Sequence, residues 1–139
     1  MTSFYLYLSC NDSKLLFPKN KANNFTVNLR RNINLDGEWE CGLKEIYFRG
    51  KTTTNSIIYA VCDSCERSYV SNDYIPLLRR ITLPRLSGGY SEAFADTYYK
   101  RVTEKELSDI TISIRGVDGD LFKGLASRSL LCVLHFKPV

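Results

Sequence analysis

Glu38-Trp39-Glu40-Cys41-Gly42-Leu43-Lys44-Glu45-Ile46-Tyr47-Phe48 is the stretch that decides the fold class. Trp39, Cys41 and Leu43 fall on one side of a two-residue period, with Glu38, Glu40 and Lys44 on the other. That alternation is a strand with one face in a core. The apolar parity then switches to Ile46 and Phe48. One extra residue turns every later side chain to the opposite face, so a bulge is expected near Gly42–Glu45. Asp36-Gly37, just upstream, is a tight-turn signal.

The same period recurs on both sides of this stretch. Phe4–Cys10 alternates Phe4, Leu6 and Leu8 against Tyr5 and Tyr7. Phe25–Leu29 alternates Phe25, Val27 and Leu29 against Thr26 and Asn28, and Asn32–Leu35 continues it weakly. Ile57–Cys62 and Ser68–Val70 read as strands, the second a short edge. Tyr74–Leu83 reads as a strand near a rim, because it holds Pro76 and Arg79-Arg80. Ser108–Arg115 sets Ile110, Ile112 and Ile114 against Thr111 and Ser113. Leu130–Phe136 is apolar throughout, which predicts a strand buried on both faces.

Asn11–Asn24 and Pro84–Thr97 read as long loops from their Pro, Gly, Asn and Ser content. Val102–Leu107 offers one helical turn capped by Thr103. The tally is about eight strands and little helix. The long connections favour a Greek-key or jelly-roll sandwich over a meander, in an all-β domain spanning residues 1–139.

Composition agrees. A chain of 139 residues is one domain by size and buries roughly two-thirds of its unfolded surface. Aromatics reach 12%, which suits pleated sheets. The net charge of +4 is scattered; the pairs Arg30-Arg31, Arg79-Arg80 and Lys100-Arg101 form no basic run, so nucleic-acid binding is not expected. No apolar run is long enough to span a bilayer, and no membrane partner is expected. The N-terminal alternation reads as a strand rather than a signal peptide, which predicts cytosolic synthesis and reduced cysteines.

The residues offer little chemistry. The one histidine, His135, lies in the last apolar strand with no nucleophile or orienting partner in view. Cys62-Asp63-Ser64-Cys65 is a lone C-x-x-C, two ligands short of a structural zinc site and outside a βαβ setting; it reads as a turn. Cys41 and Cys132 read as small buried hydrophobes. Asp118-Gly119-Asp120 supplies too few oxygens for calcium and reads as a hairpin turn. No catalytic residue, cofactor or metal is therefore expected. An enzyme would need His135 to line a pocket beside Cys132 or an acidic residue.

Three stretches, taken in order, resemble a known family. They are Phe4-Tyr5-Leu6-Tyr7-Leu8-Ser9 with Phe17-Pro18 and Asn24-Phe25-Thr26; Ile33–Leu43 leading into Glu45-Ile46; and Asp109–Arg115 with the closing Val133-Leu134-His135-Phe136. Together they look like the penton-type minor capsid proteins of Polinton/Maverick elements and adintoviruses. Cys41 stands where that family commonly has Val, and Lys51–Leu83 has no counterpart in the pattern. The resemblance implies a single jelly roll, a homopentamer, a place in the virion at the five-fold vertices, the major capsid protein as partner, and no enzyme activity. Arg115-Gly116 is followed by Val117, so the Arg-Gly-Asp receptor motif of larger pentons is not expected.

A vertex subunit would use aromatic and Arg-rich flanks for contact. Tyr69, Tyr74, Arg79, Arg80, Tyr90, Tyr98 and Tyr99 are the candidate interface residues. The expected core is Phe4, Leu6, Leu8, Phe25, Val27 and Trp39, continued by Leu43, Ile110, Ile112, Ile114, Val133 and Phe136. A lectin-like or receptor-binding β-sandwich module would show the same strand signature.

Overall fold

The computed structural model describes residues 2–139. Eleven strands run in chain order: β1 Phe4–Ser9, β2 Asn24–Asn34, β3 Trp39–Lys51, β4 Ser56–Cys62, β5 Ser68–Val70, β6 Asp73–Ile75, β7 Leu77–Leu83, β8 Ser87–Ala93, β9 Tyr99–Arg101, β10 Glu106–Arg115 and β11 Leu131–Pro138. Among the described residues there is no helix. The expected turn at Val102–Leu107 is extended instead: Val102 bridges Cys65, the Thr103 amide donates to the Ser64 carbonyl, and β10 starts at Glu106. Burial of Leu107 in the core outweighs the local capping signal.

Eight strands make two facing sheets, ordered β1-β11-β3-β8 (sheet A) and β2-β10-β4-β7 (sheet B). β9 extends sheet A beside β3, and β5–β6 form a separate hairpin. The pairings are nested: β1 with β11, β2 with β10, β3 with β8, β4 with β7, all antiparallel. A long hairpin rolled up so that its arms alternate between two sheets is a jelly roll. The fold is therefore a single jelly-roll β-sandwich: the alternation and long connections predict a Greek-key or jelly-roll sandwich, and the family resemblance implies the single jelly roll.

The bulge is where the parity switch requires it. Val133 opposes Glu45 and Leu134 opposes Leu43, which leaves Lys44 without a partner. Trp39, Cys41 and Leu43 before it, and Ile46 and Phe48 after it, all reach the core. A second irregularity lies in β2, where Leu107 pairs Ile33 but Asp109 pairs Asn28. Arg30 takes a positive φ there (63°), held by its amide donating to Asn28 Oδ1. The Arg30-Arg31 pair is thus the crest of a bulge inside one strand, not a break between two. The turns at Asp36-Gly37 and Asp118-Gly119 place glycine at φ 82° and 86°, a region costly for other residues.

Three expectations are corrected. Pro84–Thr97 is not all loop: β8 pairs β3 over seven positions, Lys51↔Ser87 to Glu45↔Ala93. Leu86, Tyr90 and Phe94 point inward, but Gly88 and Glu92 occupy the intervening positions of that parity and hide the alternation. Tyr74–Leu83 is not one strand: Pro76 separates β6 from β7, and its carbonyl accepts the Cys62 amide. β11 is not buried on both faces: Cys132, Leu134 and Phe136 are buried, whereas Leu131 is 49% exposed and Val133 and His135 are half-exposed. Val133 therefore leaves the expected core, because among the described residues no layer covers the outside of sheet A. Phe4 and Leu6 are half-buried, since β1 is the edge of that sheet, and still pack on the core. The other nine expected core residues are buried.

Candidate interaction surfaces

The outer face of sheet A is built by the residues that alternate away from the core. Register sets Tyr5 opposite His135 and Tyr7 opposite Val133. The Tyr5 ring stacks on His135 at 4.5 Å, and Tyr7, 72% exposed, stands 6.4 Å from Tyr5. On the other side β9 brings in Tyr99, whose hydroxyl lies 2.8 Å from His135 Nδ1. Lys137 Nζ sits 4.2 Å from the centre of the Tyr99 ring and 3.5 Å from Glu40. The result is an aromatic band, Tyr7-Tyr5-His135-Tyr99, across three strands. Desolvation lowers the His135 pKa, with Lys137 and Lys44 adding to the effect. The shift favours the neutral ring, whose Nδ1 shares one hydrogen bond with the Tyr99 hydroxyl, the donor being set by the tautomer.

The seven candidate contact residues do not form one surface. Tyr69 and Tyr74 face each other across the β5–β6 hairpin, rings 4.8 Å apart and both exposed. Arg79 is an internal clamp instead. Its guanidinium lies 3.9 Å from the Phe94 ring and 4.2 Å from Tyr98, and Nη1 donates to the Asp96 carbonyl at 2.6 Å. Tyr98 is exposed on the far side of that clamp. Arg80 is exposed on β7, paired with Tyr59. Tyr90 is half-buried, stacks on Phe48 at 5.2 Å, and donates its hydroxyl hydrogen bond to Glu92. Tyr99 alone joins the aromatic band. Tyr5, Tyr7 and Leu131 are absent from the sequence-derived candidates, although the outward parity of Tyr5 and Tyr7 is readable from alternation.

The suspected chemistry takes structural positions. Cys62–Cys65 is a turn closed by the Cys65 amide donating to the Cys62 carbonyl at 3.1 Å. All five cysteines are buried and unbridged. The Cys62 thiol is raised well above its usual pKa by its hydrogen bond with Cys65 and by burial, and Cys65 by its hydrogen bond with Cys41. Protonated buried thiols are poor nucleophiles. His135 faces outward while Cys132 faces the core, so the two do not share a pocket. Asp118, Asp120 and Asp73 line one cleft of ≈ 670 Å³ beside Arg115, whose Nη1 donates to the Gly119 carbonyl. Among the described residues no three His, Cys, Asp or Glu side chains converge as a metal site.

The fold and these surfaces define a single jelly-roll domain with an exposed aromatic sheet face. No family model matches the chain, and no curated protein matches it. Among solved structures, the chain is similar to that of the infectious bursal disease virus Gx strain, at 11% identity and TM-score 0.32, covering 99% of this chain and 33% of that one. It is also similar to the VP2 subviral particle of infectious bursal disease virus, at 12% identity and TM-score 0.34, covering 98% and 32%. The chain spans about a third of the length of these structures. The jelly roll itself rests on the nested strand order, not on these likenesses.

Proposed function

We propose that this chain is a structural capsid protein, a penton-type subunit that assembles as a homopentamer at the five-fold vertices of a virion, against its major capsid protein. The observation that carries the reading is the outer face of sheet A. An antiparallel sheet that faces water normally alternates apolar-in and polar-out. Here Tyr5, Tyr7, Leu131 and Val133 occupy outward positions on neighbouring strands. A flat, stiff, aromatic flank is what a subunit needs to pack against the next copy in a closed ring. The ordered sequence blocks that resemble penton-type proteins supply the specific role. The fold alone does not, since jelly rolls also serve lectins and enzymes.

Light scattering tests the reading directly. The expected mass is about five times the 15.9 kDa chain. The paired substitution Tyr5→Ser/Tyr7→Ser is expected to shift that mass toward monomer without unfolding the domain. A monomer at all concentrations, together with a positive glycan-binding screen, would move the protein to the class of sandwich binding modules.

A further inference from the structure

We infer that the β1–β2 loop is a docking tip for an anionic lipid bilayer, with Leu15 and Leu16 entering the interfacial layer and the surrounding cations meeting the headgroups. Leu15 is 99% exposed and Leu16 63% exposed, adjacent on one turn. The loop holds them out rather than letting them collapse. The Phe17 amide donates to the Ser13 carbonyl at 2.8 Å, and the Asn20 amide to the Phe17 carbonyl at 3.0 Å. The Asn20 side chain fixes the base of the loop, accepting from the Thr26 amide and donating to the Thr26 carbonyl. The Ser13 hydroxyl accepts the Asn28 amide.

Cations ring the tip. Exposed Lys19 and Lys21 flank the leucines in sequence, while Lys14 is half-buried and donates through Nζ to the Asn20 carbonyl. The β10–β11 loop leans on the same segment. Its Ser127 carbonyl accepts the Ala22 amide at 2.8 Å, and its Arg128 carbonyl accepts Asn11 Nδ2 at 3.0 Å, which brings exposed Arg128 alongside. Of the acids at this end, Asp12 is tied to the Ser9 amide, while Asp118 and Asp120 line a separate cleft with Asp73. The opposite loops mix both signs: Asp36, Glu38, Asp63, Glu66, Asp96 and Glu104 stand among Arg67, Lys100, Arg101 and Lys105, and Glu38 pairs with Arg101 and Lys105. The basic, leucine-tipped end is the one that suits a negative surface. Protruding aliphatic side chains inside a cationic rim match an anionic bilayer, which offers both an apolar layer and negative charge. A nucleic acid offers only the charge. The tip is hidden in the sequence because Asn, Asp, Ser and Pro around it read as an ordinary polar loop, and the proposed role departs from the expectation of no membrane partner. The inference holds whether or not a five-membered ring forms.

Vesicle co-sedimentation of the full chain tests it, using phosphatidylcholine with and without phosphatidylserine. Retention is expected only with phosphatidylserine, weakening as salt rises, and falling about ten-fold in Leu15→Ser/Leu16→Ser. Both leucines are exposed, so that variant should melt as the parent does. In Leu15→Trp, emission should shift to the blue on phosphatidylserine vesicles, against the constant background of buried Trp39. No retention on either vesicle overturns the inference. So does retention unchanged by the leucine substitutions and matched on duplex DNA, which would mark a plain cationic patch. A leucine variant that loses self-association yet keeps vesicle retention also overturns it, assigning the tip to a second copy.

Discussion

At the scale of single residues, His135 couples the aromatic band to pH. Its neutral ring stacks on Tyr5 and faces the Tyr99 hydroxyl through Nδ1. Desolvation, then Lys137 and Lys44, lowers its folded pKa below the ordinary value of about 6.5. The unfolded chain therefore binds the proton more readily. Stability from this group is fully present above about pH 6.5 and falls as pH drops from there through the folded pKa. Urea unfolding at stepped pH should show that loss, and His135→Gln should flatten it; an unchanged slope in the variant would sink the assignment. Residue identity is legible in the sequence here, but role is not. His135 stands out as the one histidine, while its partners Tyr5, Tyr99 and Lys137 come from β1, β9 and β11. Arg79 makes the same point, since only packing sets it between Phe94 and Tyr98.

At the scale of elements, the bulge at Lys44 sets the alignment of sheet A. Deleting Lys44 would remove the extra residue and leave Trp39, Cys41, Leu43, Ile46 and Phe48 on one unbroken alternation facing the core. No large side chain is displaced, so the cost of roughly 2–5 kcal/mol per expelled core side chain is not incurred. The deletion is expected to keep cooperative unfolding by circular dichroism; its loss would contradict the placement of the extra residue at Lys44. Lys44→Ala keeps the extra residue, and its midpoint should shift by less than about 0.5 kcal/mol. This bulge is legible in the amino-acid sequence, because a parity switch in one strand has few other causes. β8 is not. Its stability comes from backbone pairing with β3, and backbone hydrogen bonds leave no mark on sequence when Gly88-Gly89 sits in the ladder.

At the scale of the whole molecule, the nested pairing joins the first strand to the last and the second to the tenth. Such contacts close long loops before they are repaid by packing. Folding in the millisecond-to-second range is expected, well slower than helical domains of this length. Stopped-flow fluorescence of Trp39, buried and bonded through Nε1 to the Asp36 carbonyl, measures it; microsecond refolding would contradict the topology.

What the sequence by itself determined is local and periodic: the strands that bury a face, the bulge near Lys44, the glycine turns, and hence an all-β sandwich of Greek-key or jelly-roll type. Side-chain alternation records burial, and burial dominates the energy of these segments. What only the tertiary structure decided is which outward residues stand together. The aromatic band of Tyr7, Tyr5, His135 and Tyr99, the Arg79 clamp, and the basic tip at Leu15 and Leu16 each combine strands or loops distant in the chain. A one-dimensional period sorts residues into inside and outside, but it carries no information on neighbours across a sheet or between loops.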